Sequence, residues 1–201
     1  MIYAIGDIHG QLKQLNRAIS LIEADGGSNA EIVFLGDYTD RGLESRGVIE
    51  RLLEGKNNSK PWHFLKGNHD RMFSWYLKSQ PIHDPHLFHG LHWLHPRMGG
   101  ATTLLSYGIT LDDTRRSGEI HAEARKKIPE THLNFLNSLD LMYRTSDLAF
   151  VHAGIRPGVP LESQEENDLL WIREGFIEDT TDHGPLIVHG HMALDKPTHF
   201  G

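Results

Sequence analysis

The sequence predicts an α/β fold built on a largely parallel sheet covered on both faces. Two observations carry that prediction. Short apolar runs alternate with stretches of helical hydrophobic spacing, and nearly every apolar run ends in glycine beside an acidic, amide or imidazole residue. Ile2 to Ile5 runs into Gly6-Asp7, and Leu12, Leu15, Ile19 and Ile22 then mark one helix face, stopped by Gly26-Gly27. Ile32 to Leu35 runs into Gly36-Asp37, followed by Val48, Ile49, Leu52 and Leu53 on a helix expected to close at Gly55. Trp62 to Leu65 leads into Gly67-Asn68-His69-Asp70 and a helical stretch around Met72, Phe73 and Tyr76. From about 80 to 140 the alternation lapses into a segment punctuated by His, Pro and Gly, then resumes helical spacing at Leu133, Leu136 and Leu139. That segment is expected to be a cap inserted into a single domain spanning 1–201. Strand patterns return at Leu148 to Val151, before His152-Ala153-Gly154, and at Leu186 to Val188, before His189-Gly190-His191.

Composition narrows the chemistry. The 201 residues, 38% of them hydrophobic, suffice for one packed core. The absence of cysteine excludes disulfides, thiolate metal sites and a cysteine nucleophile, so a metal would have to be held by His, Asp, Glu, Asn or backbone oxygens. With 20 basic against 27 acidic residues the net charge is −7, which argues against coating nucleic acid. No apolar run approaches the roughly 20 residues of a bilayer span, and the start Met1-Ile2-Tyr3-Ala4 lacks a basic leader region, so a cytoplasmic protein with no membrane partner is expected. Fifteen histidines are an unusual load. Imidazole is both a common metal ligand and an acid near neutral pH, so their positions matter.

Five of the apolar runs end in ligand-type clusters: Asp7-Ile8-His9, Asp37 with Asp40-Arg41, Asn68-His69-Asp70, His152, and His191. In an open α/β sheet such positions converge at the carboxyl rim, where these folds bind ligands. Glycines beside the clusters are expected to supply sharp turns and positive φ. The mixed oxygen and nitrogen donors suit manganese, iron or zinc, and they are too many for one ion. Two ions roughly 3.5–4 Å apart, sharing a carboxylate, would use them all, clamp a phosphate and activate a water. The pocket would stay locally positive in an acidic protein.

Gly6-Asp7-Ile8-His9-Gly10, Gly36-Asp37-Tyr38-Thr39-Asp40-Arg41-Gly42 and Gly67-Asn68-His69-Asp70 occur in the order and spacing of the signatures of phosphoprotein phosphatases. The chain thus resembles the serine/threonine phosphoprotein phosphatase family of the calcineurin-like metallophosphoesterases, in its compact bacterial and phage form. The likeness extends through Val151-His152-Ala153-Gly154, Leu169 to Arg173 and Val188 to His191. It implies an αββα sandwich with a helical cap. It also implies two divalent ions, manganese first with iron or zinc as alternatives, and a phosphorylated protein or small phosphoester as substrate. By the resemblance, Asp7 and His9 bind one metal, Asp37 bridges, and Asn68, His152 and His191 bind the other. His69 protonates the leaving group, Asp40 orients it, and Arg41 and Arg173, with Asn68, hold the phosphate. The Asp40-Arg41-Gly42 triplet leans toward phosphoserine and phosphothreonine on proteins. Hydrolysis of dinucleoside polyphosphates such as diadenosine tetraphosphate is the alternative, and an inactive phosphopeptide-binding module a remote third.

His83, His86, His89, His92 and His95 recur at a spacing of three among Leu87, Leu91, Trp93 and Leu94. The expectation is a cap element that packs its apolar face and turns its imidazoles outward, rather than a further metal site. Met98-Gly99-Gly100 and Ser106-Tyr107-Gly108 resemble cap segments of the same bacterial group and are expected to do no more than shape the substrate pocket. The chain ends at Phe200-Gly201, ten residues past His191, so the C-terminal strands with which the family completes its second sheet are expected to be missing.

Overall fold

A computed structural model describes residues 1–112 and 114–199; the terminal pair Phe200-Gly201 lies outside the described residues. The first half is strand and helix in alternation: β1 (Ile2–Ile5), α1 (Leu12–Gly26), β2 (Glu31–Phe34), α2 (Ser45–Asn57), β3 (Trp62–Phe64) and α3 (Asn68–Tyr76). The strands form one parallel sheet, β1-β2-β3, with Ile2 opposite Glu31 and Ile32 opposite Trp62. Three short helices follow: α4 (Gly100–Ser106), α5 (Ser117–Lys127) and α6 (Glu130–Asn137). The chain then builds β4 (Met142–Arg144), β5 (Leu148–Val151), a 3-10 turn at Leu161–Ser163, α7 (Glu166–Trp171) and β6 (Leu186–Val188). These strands make a second sheet, β4-β5-β6, in which β4 runs antiparallel to β5 and β6 parallel to it.

The two-residue side-chain period of a strand explains why these layers stack. In β2 and just beyond it, Ile32 and Phe34 face a cluster that includes Leu15, Ile19, Val48, Ile49, Leu52 and Phe135. Val33 and Leu35 face the other way and meet Leu65 and Phe150, with Tyr143, Leu148 and Val188 packed alongside. The alternation continues across the second sheet: Val151 and Ile187 turn outward to Ile155, Leu169 and Phe176. The order is helices, sheet, sheet, then a thin outer layer of α7 and loops, which is the αββα sandwich. Among the described residues the second sheet carries three strands, with β6 at its edge. Among the described residues no helix is long and apolar enough to cross a membrane.

Residues 80–99 form turns, with no helix or strand. Leu87, Trp93 and Met98 are buried there and join the same cluster as Leu104, Ile120, Leu136 and the first sheet. The histidine series is therefore not a regular face. His86 stacks on Trp171, with ring centroids 5.5 Å apart, while His92 and His95 meet edge to face at 6.0 Å.

One expected helix end is corrected. Gly55 does not close α2, which continues to Asn57. A Cβ at Gly55 would fall 1.9 Å from the Trp62 ring, so glycine is there to admit the indole against the helix. We predict that Gly55→Ala, although it improves helix propensity, lowers stability by about 1–3 kcal/mol through overpacking. A urea denaturation midpoint equal to or above that of the parent would refute this reading of the packing.

Candidate metal centre

The ligand-type residues follow the carboxyl ends of β1, β2, β3, β5 and β6, and the two sheets bring those ends together. Asp37 lies at the middle. Its carboxylate is 2% exposed; Oδ2 is 3.6 Å from His9 Nε2 and 3.6 Å from His152 Nε2, while Oδ1 accepts the His69 backbone N–H at 2.9 Å. Two groups of potential ligand atoms, each within 4.8 Å of one another, share this carboxylate: His9, Asp37 and His69 on one side, and Asp37, His152 and His191 on the other. Asp7 joins from β1, its Oδ2 3.9 Å from His9 Nε2 and its Oδ1 accepting the His191 backbone N–H at 3.0 Å. Asn68 Oδ1 lies 3.0 Å from His152 Nε2. Burial would raise the Asp37 pKa, but the imidazoles of His152, His69 and His9 and the His69 N–H hold it well below the ordinary carboxylate range.

The tautomers follow from the partners. His9 Nδ1 lies 2.8 Å from the Thr39 carbonyl and His152 Nδ1 lies 2.8 Å from the Leu35 carbonyl. A carbonyl only accepts, so both rings donate from Nδ1, and each Nε2 presents a lone pair to the centre. Those lone pairs converge on carboxylate and amide oxygens, which are also acceptors. The Nε2 atoms of His9 and His191 are buried with no hydrogen-bond partner. Buried acceptors facing one another, in a mixed oxygen and imidazole set, are what a pair of divalent cations satisfies. The residues present fit such a pair. Burial, followed by the neighbouring His152, takes the His191 pKa down to about 3, so this imidazole stays neutral and able to ligate.

The backbone is bent to make this possible. Six non-glycine residues among those described have positive φ, and five of them are His9, Asp37, Asp40, Arg41 and His191. Conformations that L-residues avoid are thus concentrated at the site, where the surrounding structure holds them. The glycines beside them work differently from the expectation of turns alone. Gly10 and Gly36 do have positive φ, but Gly67 is required by contact, since a Cβ there would sit 2.1 Å from Asp37 Oδ1.

Beside the shared carboxylate, His69 donates from Nδ1 to Asp40 Oδ2 at 2.7 Å, and its Nε2 is 3.3 Å from Arg41 Nη2. Burial alone would lower the His69 pKa; the charges of Asp37 and Asp40 and the Asp40 hydrogen bond outweigh it, and the net shift is upward. Arg173 follows α7 and is exposed, yet its charge is near enough to His191 to help lower that pKa. Every residue that the motifs singled out is therefore at or beside one centre, with Arg173 at its outer edge.

Three buried residues that received no role of their own from the sequence support the site. Asp70, at the third position of α3, accepts the N–H of Asp37 at 2.8 Å, of Tyr38 at 3.0 Å and of Gly67 at 3.0 Å, tying two ligand loops together. Trp93 and Thr103 both donate to Asp40, at 2.8 and 2.7 Å. Asp70 was legible in principle as the last residue of its motif. Trp93 and Thr103 come from a segment with no motif.

The profile of the calcineurin-like phosphoesterases matches residues 1–201. Among solved structures, a protein assigned as a diadenosine tetraphosphatase is 23% identical with a TM-score of 0.48, the match covering 83% of this chain and 55% of that one. A metallophosphoesterase from Sphaerobacter thermophilus is 17% identical with a TM-score of 0.40, covering 76% and 46%. A protein serine/threonine phosphatase from Saccharomyces cerevisiae, similar to human phosphatase PP5, is 16% identical with a TM-score of 0.42, covering 81% and 44%. The chain spans about half the length of these structures.

Both oxygens of Asp70 face N–H donors only, so the loops accept the carboxylate form even though burial and the charge of Asp37 press its pKa upward. Asp70→Asn would set an amide N–H against a backbone N–H. We expect it to lower stability by about 1–3 kcal/mol and to weaken binding of divalent ions. Unchanged melting together with unchanged manganese affinity by calorimetry would remove Asp70 from the support of the site.

Proposed function

Because the chain belongs to the calcineurin-like phosphoesterase family, we propose that it hydrolyses phosphate monoesters, with phosphoserine and phosphothreonine on proteins as the preferred substrate class. The observation that carries this reading is one buried carboxylate, Asp37, shared by two imidazole clusters, with a His69–Asp40 pair at 2.7 Å directly beside it. We assign Asp7, His9 and Asp37 to one divalent ion and Asp37, Asn68, His152 and His191 to the other. When bound, the pair would supply a water acidified toward neutral pH and positive charge for the phosphate oxygens. The donor set favours manganese, with iron or zinc as alternatives.

The chain's own groups do the rest. Arg41, whose fork reaches His69 Nε2, is placed to turn onto phosphate oxygens, and Arg173 adds charge from the outer edge. In the arrangement seen, His69 Nε2 accepts from Arg41; once Arg41 turns onto the phosphate, protonated His69 presents an Nε2 proton to the departing oxygen. Asp40 keeps the opposite nitrogen occupied and thereby orients the ring. An acid built in this way supports alkyl esters as substrates, because the alkoxide of serine or threonine leaves poorly without a proton. The Asp40-Arg41-Gly42 triplet leans the same way.

Turnover of phosphopeptides, p-nitrophenyl phosphate and diadenosine tetraphosphate, measured side by side with manganese and after chelation, tests the reading. Phosphopeptides should be preferred and chelation should abolish activity on all three. Preference for the dinucleotide would move the assignment to that branch, and activity without metal would sink the dinuclear mechanism. His69→Asn should retain both ions and lower turnover of alkyl phosphates about 10²–10⁴-fold while affecting aryl phosphates far less, since a nitrophenolate departs largely unassisted. Equal slowing of both substrates, or loss of an ion, would make His69 a structural residue or a ligand.

A further inference from the structure

We infer that Trp93, in the irregular segment 80–99, is a positioning residue for the acid pair, an inference that rests on the reading of His69 as the general acid. The indole Nε1–H donates to Asp40 Oδ2 at 2.8 Å, and that same oxygen accepts from His69 Nδ1 at 2.7 Å. The other oxygen, Oδ1, accepts the Thr103 hydroxyl at 2.7 Å. Asp40 itself is fully buried, and its backbone N–H is taken up by Thr103 Oγ1 at 2.8 Å and Ser45 Oγ at 3.1 Å.

A carboxylate anchored through one oxygen can swing about its Cβ–Cγ bond, and the imidazole bonded to it swings as well. Anchors on both oxygens remove that freedom. Thr103 holds Oδ1 and Trp93 holds Oδ2, leaving His69 a single direction from which to bond. Indole is suited to this task because it donates one hydrogen bond and accepts none, so it cannot take up the proton that the pair handles. The hydrogen bond also runs between a buried donor and a fully buried carboxylate, where low local dielectric strengthens it.

The indole's own position is set by packing rather than by regular backbone. Its ring stacks on Phe73 of α3, with centroids 5.2 Å apart and 16° between planes, and leans on Tyr76 at 4.7 Å. On the other side Gly100 opens α4 so closely that a Cβ there would come within 2.5 Å of the indole. Gly99, with φ of 86°, turns its carbonyl to accept the Arg41 N–H at 3.3 Å. The Met98-Gly99-Gly100 turn thus seats both Trp93 and Arg41, a more direct part in the site than shaping a substrate pocket.

Trp93→Phe keeps a ring in the Phe73 stack and removes the N–H together with part of the bicycle, a packing loss for which Phe73→Leu is the control. The expected result is a fall of about tenfold in kcat for an alkyl phosphate and less than about twofold for p-nitrophenyl phosphate, a fraction of the full general-acid effect. KM for both substrates and the bound manganese should stay unchanged. Phe73→Leu disturbs the same stack and leaves the indole bond, so it should not alter the ratio of the two substrates. Equal slowing of both substrates by Trp93→Phe, or an equal change of ratio in Phe73→Leu, would overturn the assignment and leave Trp93 a packing residue. His69→Asn in the same panel separates the two levels of the inference. If it shows leaving-group selectivity and Trp93→Phe does not, only the positioning role falls; if it shows none, the acid reading falls and the role of Trp93 with it. Should Trp93→Phe fail to fold, the indole ¹H–¹⁵N resonance of Trp93 in the parent protein gives the answer. It should move upfield in Asp40→Asn while the other three tryptophans hold their positions, and an unmoved resonance would likewise overturn the proposal.

Discussion

The carboxylate of Asp37 is the constraint from which the rest of the site follows. A buried charge of this kind is costly unless every neighbour is arranged around it. Here His9, His152 and the His69 N–H surround it, and its own backbone N–H is held by Asp70. Reaching that position demands a positive φ at Asp37 and an approach by Gly67 that no side chain would permit. The loops after β2 and β3 are thus shaped by one functional group, and the parallel pairing of those strands sets the distance between them.

The two rings that flank Asp37 show how the fold prepares them. Each commits Nδ1 to a main-chain carbonyl, of Thr39 for His9 and of Leu35 for His152, and so turns Nε2 inward as a lone pair. Those carbonyls belong to the ends of the strand and turn that carry Asp37. The same short stretch of chain therefore supplies the shared carboxylate and orients the imidazoles on both sides of it. A net charge of −7 on the whole chain says nothing against anion binding at such a point, because the local balance would be set by the divalent ions this ligand set fits and by Arg41 beside it.

The segment between the two halves of the sandwich is tied to the centre by buried polar contacts. Besides Trp93 and Thr103 on Asp40, the fully buried Arg71 of α3 binds Asp84 through Nε at 3.1 Å and Nη2 at 2.8 Å, and reaches Asn167 of α7 at 2.8 Å. Asp84 in turn accepts the His86 backbone N–H at 3.0 Å, and the His86 ring lies on Trp171, itself 6.0 Å from the His191 ring. Removing one partner of such a buried pair strands a charge, so the network constrains the position of the segment more than it adds net stability.

What the sequence by itself determined is the set of groups that meet and the strands that carry them. Three glycine-flanked motifs in order, and two later histidines after apolar runs, were enough to name Asp7, His9, Asp37, Asp40, His69, His152 and His191, because strand-end position and ligand chemistry are both local properties. The second sheet was only half legible. β4 is three residues long with one side chain exposed, too short for a periodic signal, and it exists because β5 offers it an antiparallel partner. The role of Gly55 was misread for a related reason: a glycine that ends a helix and one that admits a tryptophan from a neighbouring strand look alike until the strand is in place. Trp93 and Thr103 were beyond reach altogether. They lie 53 and 63 residues from Asp40, in a stretch without periodicity, and only tertiary packing decided that an indole and a hydroxyl close on one carboxylate.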